Sequence, residues 1–69
     1  MADSVYKVIE IVGTSADSWE KAAAGAVAKA SKSLRDLRVA EVSQLDMQIK
    51  DGKVEAYRAR LKVSFKFED

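Results

Sequence analysis

The sequence predicts an α+β domain of β-α-β-β order. Three observations carry that expectation: a β-branched run over Val5 to Val12, one alanine-rich amphipathic stretch, and an Asp51-Gly52 dipeptide joining two long alternating runs. The 69 residues form one domain, 1–69, with no proline, linker or internal repeat to divide it.

Val5 to Val12 (VYKVIEIV) reads as a strand that ends at Gly13. Gly13-Thr14-Ser15 then breaks the chain, and Ser15 is the expected N-cap. Asp17 and Glu20 follow where a helix dipole favours negative charge. From Ala16 to about Arg35 the pattern is helical. Trp19, Ala22, Ala23, Ala26, Val27, Ala30 and Leu34 fall at spacings of three and four along one stripe, and Lys32 and Arg35 suit the C-terminus. A stripe made mostly of alanine buries little area but permits close approach, so the helix should press tightly on a sheet. Trp19 reads as a packing residue at the helix start rather than as a ligand stacker.

Leu37 to Ile49 and Val54 to Phe67 read as strands of one hairpin, because Asp-Gly supplies the positive φ that a type I′ turn needs. With Lys50 opposite Lys53, the expected ladder runs Ile49–Val54, Met47–Ala56, Leu45–Arg58, Ser43–Arg60 and Glu41–Lys62 on the face away from the helix. Ala40, Val42 and Gln44 then meet Val63, Leu61 and Ala59 on the helix side, continuing to Phe65 and Phe67. The opposed Glu41–Lys62 pair supports this register by about 0.2–1 kcal/mol. The third strand belongs between the other two, giving an antiparallel sheet of order 2-3-1 wrapped on one helix, reached by a right-handed crossover.

The composition narrows the function. There is no Cys and no His, which excludes disulfides, zinc sites and acid–base or nucleophilic schemes built on those residues. Thr14 and Ser15 have no activating base spaced near them, so no enzyme is expected. Twelve basic and eleven acidic residues give a net charge of +1, so no nucleic-acid partner is implied. The stretch Met1-Ala2-Asp3-Ser4 lacks a basic n-region, and no apolar run approaches the ~18 residues of a membrane span; a soluble cytoplasmic protein without a membrane partner is expected.

A domain this small hides only about 60% of the surface that its unfolded chain exposes, so self-association is the expected stabiliser. The expected oligomer interface is an apolar patch at Leu45, Met47, Ile49 and Val54. Arg58, Arg60 and Lys62 alternate along the last strand and read as solvated ion-pair partners, with phosphate binding as the functional alternative. Glu41, Asp46, Asp17 and Glu68-Asp69 supply oxygens for Ca²⁺ or Mg²⁺ if symmetry gathers several copies, but no linear metal loop is present and no metal ligand is assigned.

The run Val5-Tyr6-Lys7-Val8-Ile9-Glu10-Ile11-Val12-Gly13-Thr14-Ser15, the small-residue helix, Glu41-Val42 in mid-strand and Lys62-Val63-Ser64-Phe65-Lys66-Phe67-Glu68 together resemble dodecins, over about Val5 to Glu68. The resemblance implies a β-α-β-β fold and a homododecamer forming a hollow shell. It also implies a ligand-storage role in which paired flavins (FMN or riboflavin) stack between tryptophans of two-fold-related subunits and a glutamine on the last strand reads the ring edge. This chain departs from that pattern where it matters. The tryptophan position is Val39 and the glutamine position is Arg58, with Arg38 beside the first by sequence but on the opposite strand face. The implied ligand site is therefore Val39, Arg58, Leu45 and Arg38. A valine offers no π surface, and Arg58 is a donor-only cation where an amide donates and accepts. The expectation is a dodecin-like shell that stores a small ligand with an altered flavin site. The alternative is an assembly that binds a divalent cation or is purely structural.

Overall fold

The computed structural model describes residues 3–66. Phe67, Glu68 and Asp69, invoked above for the helix-side face and for cation binding, lie outside the described residues, as do Met1 and Ala2. The element order is β1 (Tyr6–Ser15), α1 (Trp19–Ala30), β2 (Leu37–Lys50) and β3 (Lys53–Lys66). The three strands form one antiparallel sheet in the order β1-β3-β2, as the sequence predicts. Among the described residues no helix is long and apolar enough to cross a membrane.

β1 is longer than the sequence pattern indicates and runs through Gly13 instead of ending there. Gly13 pairs with Ala59 in mid-sheet, and the helix lies directly on it. A Cβ at Gly13 would sit 2.1 Å from the Ala22 carbonyl oxygen and 2.8 Å from the Ala26 Cβ. Glycine is thus required for close approach, not for a turn. The alanine stripe does what its residue sizes allow: Ala22 is buried, and Ala23, Ala26 and Val27 pack beside it.

The helix is shorter at both ends than its periodicity. Ser18, in extended conformation, is the N-cap, and its side chain accepts from the Lys21 N–H at 3.0 Å. Ser15 instead closes the preceding turn, where its Oγ accepts from the N–H of Asp17 (3.0 Å) and of Ser18 (3.4 Å). At the other end, backbone bonds from Lys32, Ser33 and Leu34 to Lys29 and Ala30 carry the chain through tight turns, so Lys32 and Arg35 fall beyond the helix. Asp36 then reverses the chain in the left-handed region (φ 57°), which Asp tolerates better than most residues. The hairpin turn is as expected, with positive φ at Asp51 (52°) and Gly52 (75°).

The β2–β3 register is correct at both ends and wrong in the middle. Lys50–Lys53, Ile49–Val54, Val42–Leu61, Glu41–Lys62 and Ala40–Val63 pair as predicted. Between them, a bulge with Ser43 as the extra β2 residue slips the ladder by one, and a second with Glu55 extra on β3 restores it. Gln44 therefore meets Arg60, Leu45 meets Ala59, Asp46 meets Arg58, Met47 meets Tyr57 and Gln48 meets Ala56. The extra residue is on β2, so β3 keeps its faces while the β2 side chains of this stretch exchange theirs. Leu45 and Met47 lie on the helix side, not on the face away from it. Ser43 fills the break by donating its hydroxyl to the Arg60 carbonyl at 3.2 Å.

The core is small. Ala22, Ala59, Leu61 and Val63 are buried, with Ile9, Ile11, Ala23, Ala26, Val27 and Leu37 packed around them. Among the described residues, only Leu61 and Val63 are large side chains fully removed from solvent. The helix rests on β1 and β3 and barely reaches β2, so the helix-side face of β2 stays open. The hairpin projects from this body, giving extents of 54 × 20 × 15 Å. Ten large apolar side chains of the described residues are exposed, among them Leu45 (51%), Ile49 (65%) and Val39 (63%).

Candidate functional site

The sheet presents two different surfaces. On the face away from the helix, β1 contributes Val8, Glu10, Val12 and Thr14 beside Ser64, Lys62, Arg60 and Arg58 of β3. β2 adds Val39, Glu41 and Asp46. Arg58 and Asp46 form a bidentate pair there, with Nε–Oδ1 at 2.7 Å and Nη2–Oδ2 at 2.9 Å. Their planar groups match, which makes this the strongest polar contact of that face. The hydrogen bonds from Arg58 hold the Asp46 carboxyl below its ordinary pKa, and the same bonds raise that of the guanidinium. Arg60 pairs with Glu10 at 3.5 Å, and Lys62 faces Glu41 across the ladder. The two arginines of β3 are thus ion-paired, with Asp46 and Glu10, while Lys62 stands opposite Glu41 in the ladder with no salt bridge between them among those of the described residues.

The implied ligand residues do not meet within one chain. Val39 lies opposite Ser64 and Arg58 opposite Asp46, on the same face but six residues apart along β3, or about 20 Å at the rise of a strand. Leu45 is on the other face, opposite Ala59. Arg38 falls at a third bulge, between Leu37 and Val39, and is exposed. Of the expected interface residues, Met47 joins Leu45 on the helix side. Ile49 and Val54 continue that side at the hairpin end, beyond the reach of the helix.

Sequence reasoning missed how Trp19 is used. Its Nε1 donates to the Asp46 carbonyl at 3.0 Å, and its ring meets that of Tyr57 edge-on at 4.9 Å. The first helical residue is therefore tied to β2 within the bulged segment, across the top of β3. One residue, Asp46, links both faces: its carbonyl holds Trp19 and its carboxylate holds Arg58. The missed signal was the pair of compensating bulges, without which Asp46 does not meet Arg58. Beside Trp19 an open cleft of about 320 Å³ is lined by Glu20, Ala23, Val42 and Leu45.

The carboxylates do not gather into a chelating group. Asp17 pairs with Lys21 at 3.1 Å, Glu10 with Arg60 and Asp46 with Arg58. Among the described residues no three acidic side chains are placed to hold one ion.

Fold and surface together define a small helix-cradled antiparallel-sheet protein that leaves ten large apolar side chains of its described residues exposed. The chain belongs to the dodecin family: the family model Dodecin matches residues 5–68. The calcium dodecin of Mycobacterium tuberculosis is 54% identical over 63 residues, covering 91% of this chain and 89% of that protein. The dodecin of Thermus thermophilus is 40% identical over 65 residues, 94% of each chain. Among solved structures, dodecin from Streptomyces coelicolor superposes with a TM-score of 0.93 at 42% identity, covering 100% of this chain and 99% of the other. The Mycobacterium tuberculosis calcium dodecin, described as a calcium-chelating immunodominant antigen with a novel calcium-binding site, gives a TM-score of 0.83 at 55% identity over 94% and 93% of the two chains.

Proposed function

We propose that this chain assembles with copies of itself into a dodecin-type shell of twelve, and acts there as a binding and storage protein, not an enzyme. Its cargo is a divalent cation of the calcium class, and flavin binding has been lost. The observation that carries this reading is the state of the two flavin positions. Val39 has no ring to stack, and Arg58, a donor-only cation where the resemblance implies an amide, commits two of its N–H donors to Asp46 in a bidentate pair. Restoring the family contact would mean breaking a charge-assisted pair and leaving Asp46 without its partner.

The calcium half of the reading draws support from the 54% identical relative that is named a calcium dodecin. The site proposed for the cation lies between copies, where one exposed carboxylate such as Glu41 would act in several copies at once. Such a site needs the assembly, which the exposed apolar side chains support. The cytoplasm is the proposed compartment, in keeping with a chain that has no cysteine.

Calorimetric titration with Ca²⁺ and Mg²⁺ tests the reading, with riboflavin titrated in parallel by fluorescence. Heat on calcium addition with no quenching of riboflavin at micromolar protein is expected. Strong flavin quenching without calcium heat would reverse the assignment.

A further inference from the structure

Asp46 is bonded on both faces of the sheet, by its carboxylate to Arg58 on one and by its carbonyl to Trp19 on the other. We infer that these two bonds are coupled into a pH-sensitive latch: while the Asp46 carboxylate is charged and paired, Trp19 is held on β2, and when the carboxylate takes a proton Trp19 is let go. The latch acts within one chain and does not depend on the cargo proposed above.

The coupling follows from how little else holds this stretch of β2. It is an edge strand, paired with β3 alone. It lies between two bulges, so its ladder is interrupted on either side. The helix barely reaches it. Its apolar side chains Leu45 and Met47 are 51% and 44% exposed, so packing fixes it weakly. The two-bond contact with Arg58, at 2.7 and 2.9 Å, therefore sets where the Asp46 backbone lies. The 3.0 Å bond from the Trp19 Nε1 needs the Asp46 carbonyl in that place. Trp19 in turn is the first residue of α1 and one wall of the cleft that Val42 and Leu45 line. Its edge-on contact with Tyr57 does not involve Asp46, so release resets the ring and leaves the helix formed.

The groups around Asp46 set the direction of the response. On β3 it faces Arg58, and Arg60 also acts on it; Arg60 is itself paired with Glu10 of β1. Thr14 of β1 stands opposite Arg58, and Gln44 and Gln48 on β2 carry no charge. From α1, Trp19 meets the carbonyl, and Glu20 stands at the rim of the cleft on the other face. Arginine thus dominates at the carboxylate and holds its pKa below the ordinary value. The latch is closed near neutral pH and opens as the pH falls through that depressed value.

Trp19 is the chain's one tryptophan, so its fluorescence reads the latch directly. On acidification, over the range in which far-ultraviolet circular dichroism stays constant, emission should move to longer wavelength with a midpoint below the ordinary aspartate pKa. The step should vanish in Asp46→Asn, whose emission at neutral pH should already match the acid form. A step that survives in Asp46→Asn would belong to Asp17 or Glu20 and overturn the inference, as would flat emission from the unmodified protein. A double-mutant cycle at neutral pH measures the same coupling without acid. Trp19→Phe removes the N–H donor and keeps a ring, so Asp46→Asn combined with Trp19→Phe should lose less stability than the two single losses together. Strict additivity would show that the two bonds are independent and overturn the latch.

Discussion

Replacing Gly13 by alanine probes the closest contact between helix and sheet. The added Cβ would lie 2.1 Å from the Ala22 carbonyl oxygen and 2.8 Å from the Ala26 Cβ, where unstrained carbon contacts need about 3.5 Å or more. The nearer atom is helix backbone, so no side-chain rotation relieves the clash and the helix must lift by about 1 Å. Lifting it exposes Ala22 and loosens the cover over Ala59, which pairs with Gly13 and is fully buried. Overpacking of this kind costs about 1–3 kcal/mol. For a domain this small each kcal/mol moves Tm by about 4–8 °C, so Gly13→Ala should melt roughly 5–20 °C below the unmodified protein. Gly25 supplies the control, because it sits in the helix, exposed, and a methyl group added there would meet nothing within 4 Å. Gly25→Ala should raise stability by about 0.5–1 kcal/mol through helix propensity alone. Both are read by thermal unfolding followed by far-ultraviolet circular dichroism, at one fixed protein concentration because the proposed association would contribute to Tm. A Gly13→Ala protein that melts at or above the unmodified Tm would refute the tight helix–sheet packing.

Three further outcomes follow from the surfaces. Leu45→Glu should leave the single chain folded, since Leu45 is half exposed there, but should dissociate the assembly by placing an unpaired charge in a subunit contact; an unchanged sedimentation mass would show that the cleft stays in solvent. Asp46 has a folded-state pKa below its ordinary value, so its pair with Arg58 contributes stability above that ordinary value and loses it as the pH falls through the depressed one. The unmodified protein should therefore lose more stability than Asp46→Asn between about pH 5 and pH 2, and equal acid slopes would contradict the pair. Val39→Trp combined with Arg58→Gln should create flavin quenching that the parent chain lacks, because it supplies the ring and removes the Asp46-bound cation; no gain in binding would mean that the site was lost for another reason.

Much of the fold was legible because its signals are local. The Asp51-Gly52 turn, the element order and the antiparallel 2-3-1 sheet rest on patterns only a few residues long, and each is present in the structure. The helix ends were less legible. Ser15 and Ser18 are both cap residues, and choosing between them depends on how far β1 continues, which is set by Gly13 pairing with Ala59 across the sheet. The mid-hairpin register was illegible for a different reason. Two bulges that cancel leave both ends in phase, so an alternating pattern anchored at the turn gives no sign of the slip at Leu45, Asp46 and Met47. The slip is favoured by what it brings together: Leu45 over Ala59, Met47 beside Tyr57, and Asp46 against Arg58 in place of a leucine. The candidate site follows the same division. Val39 and Arg58 could be named from the sequence as the positions that the resemblance implies, while the Asp46 partner of Arg58 and the cleft at Trp19 emerged only from long-range contacts.

The central claim is that this chain works as a calcium-holding assembly without flavin, and native mass spectrometry of the purified protein tests it most directly. A particle near twelve times the 7.6 kDa chain mass, gaining calcium in whole multiples and carrying no flavin, is the expected result. A 7.6 kDa species, or an assembled particle that holds flavin and takes up no calcium, would contradict it.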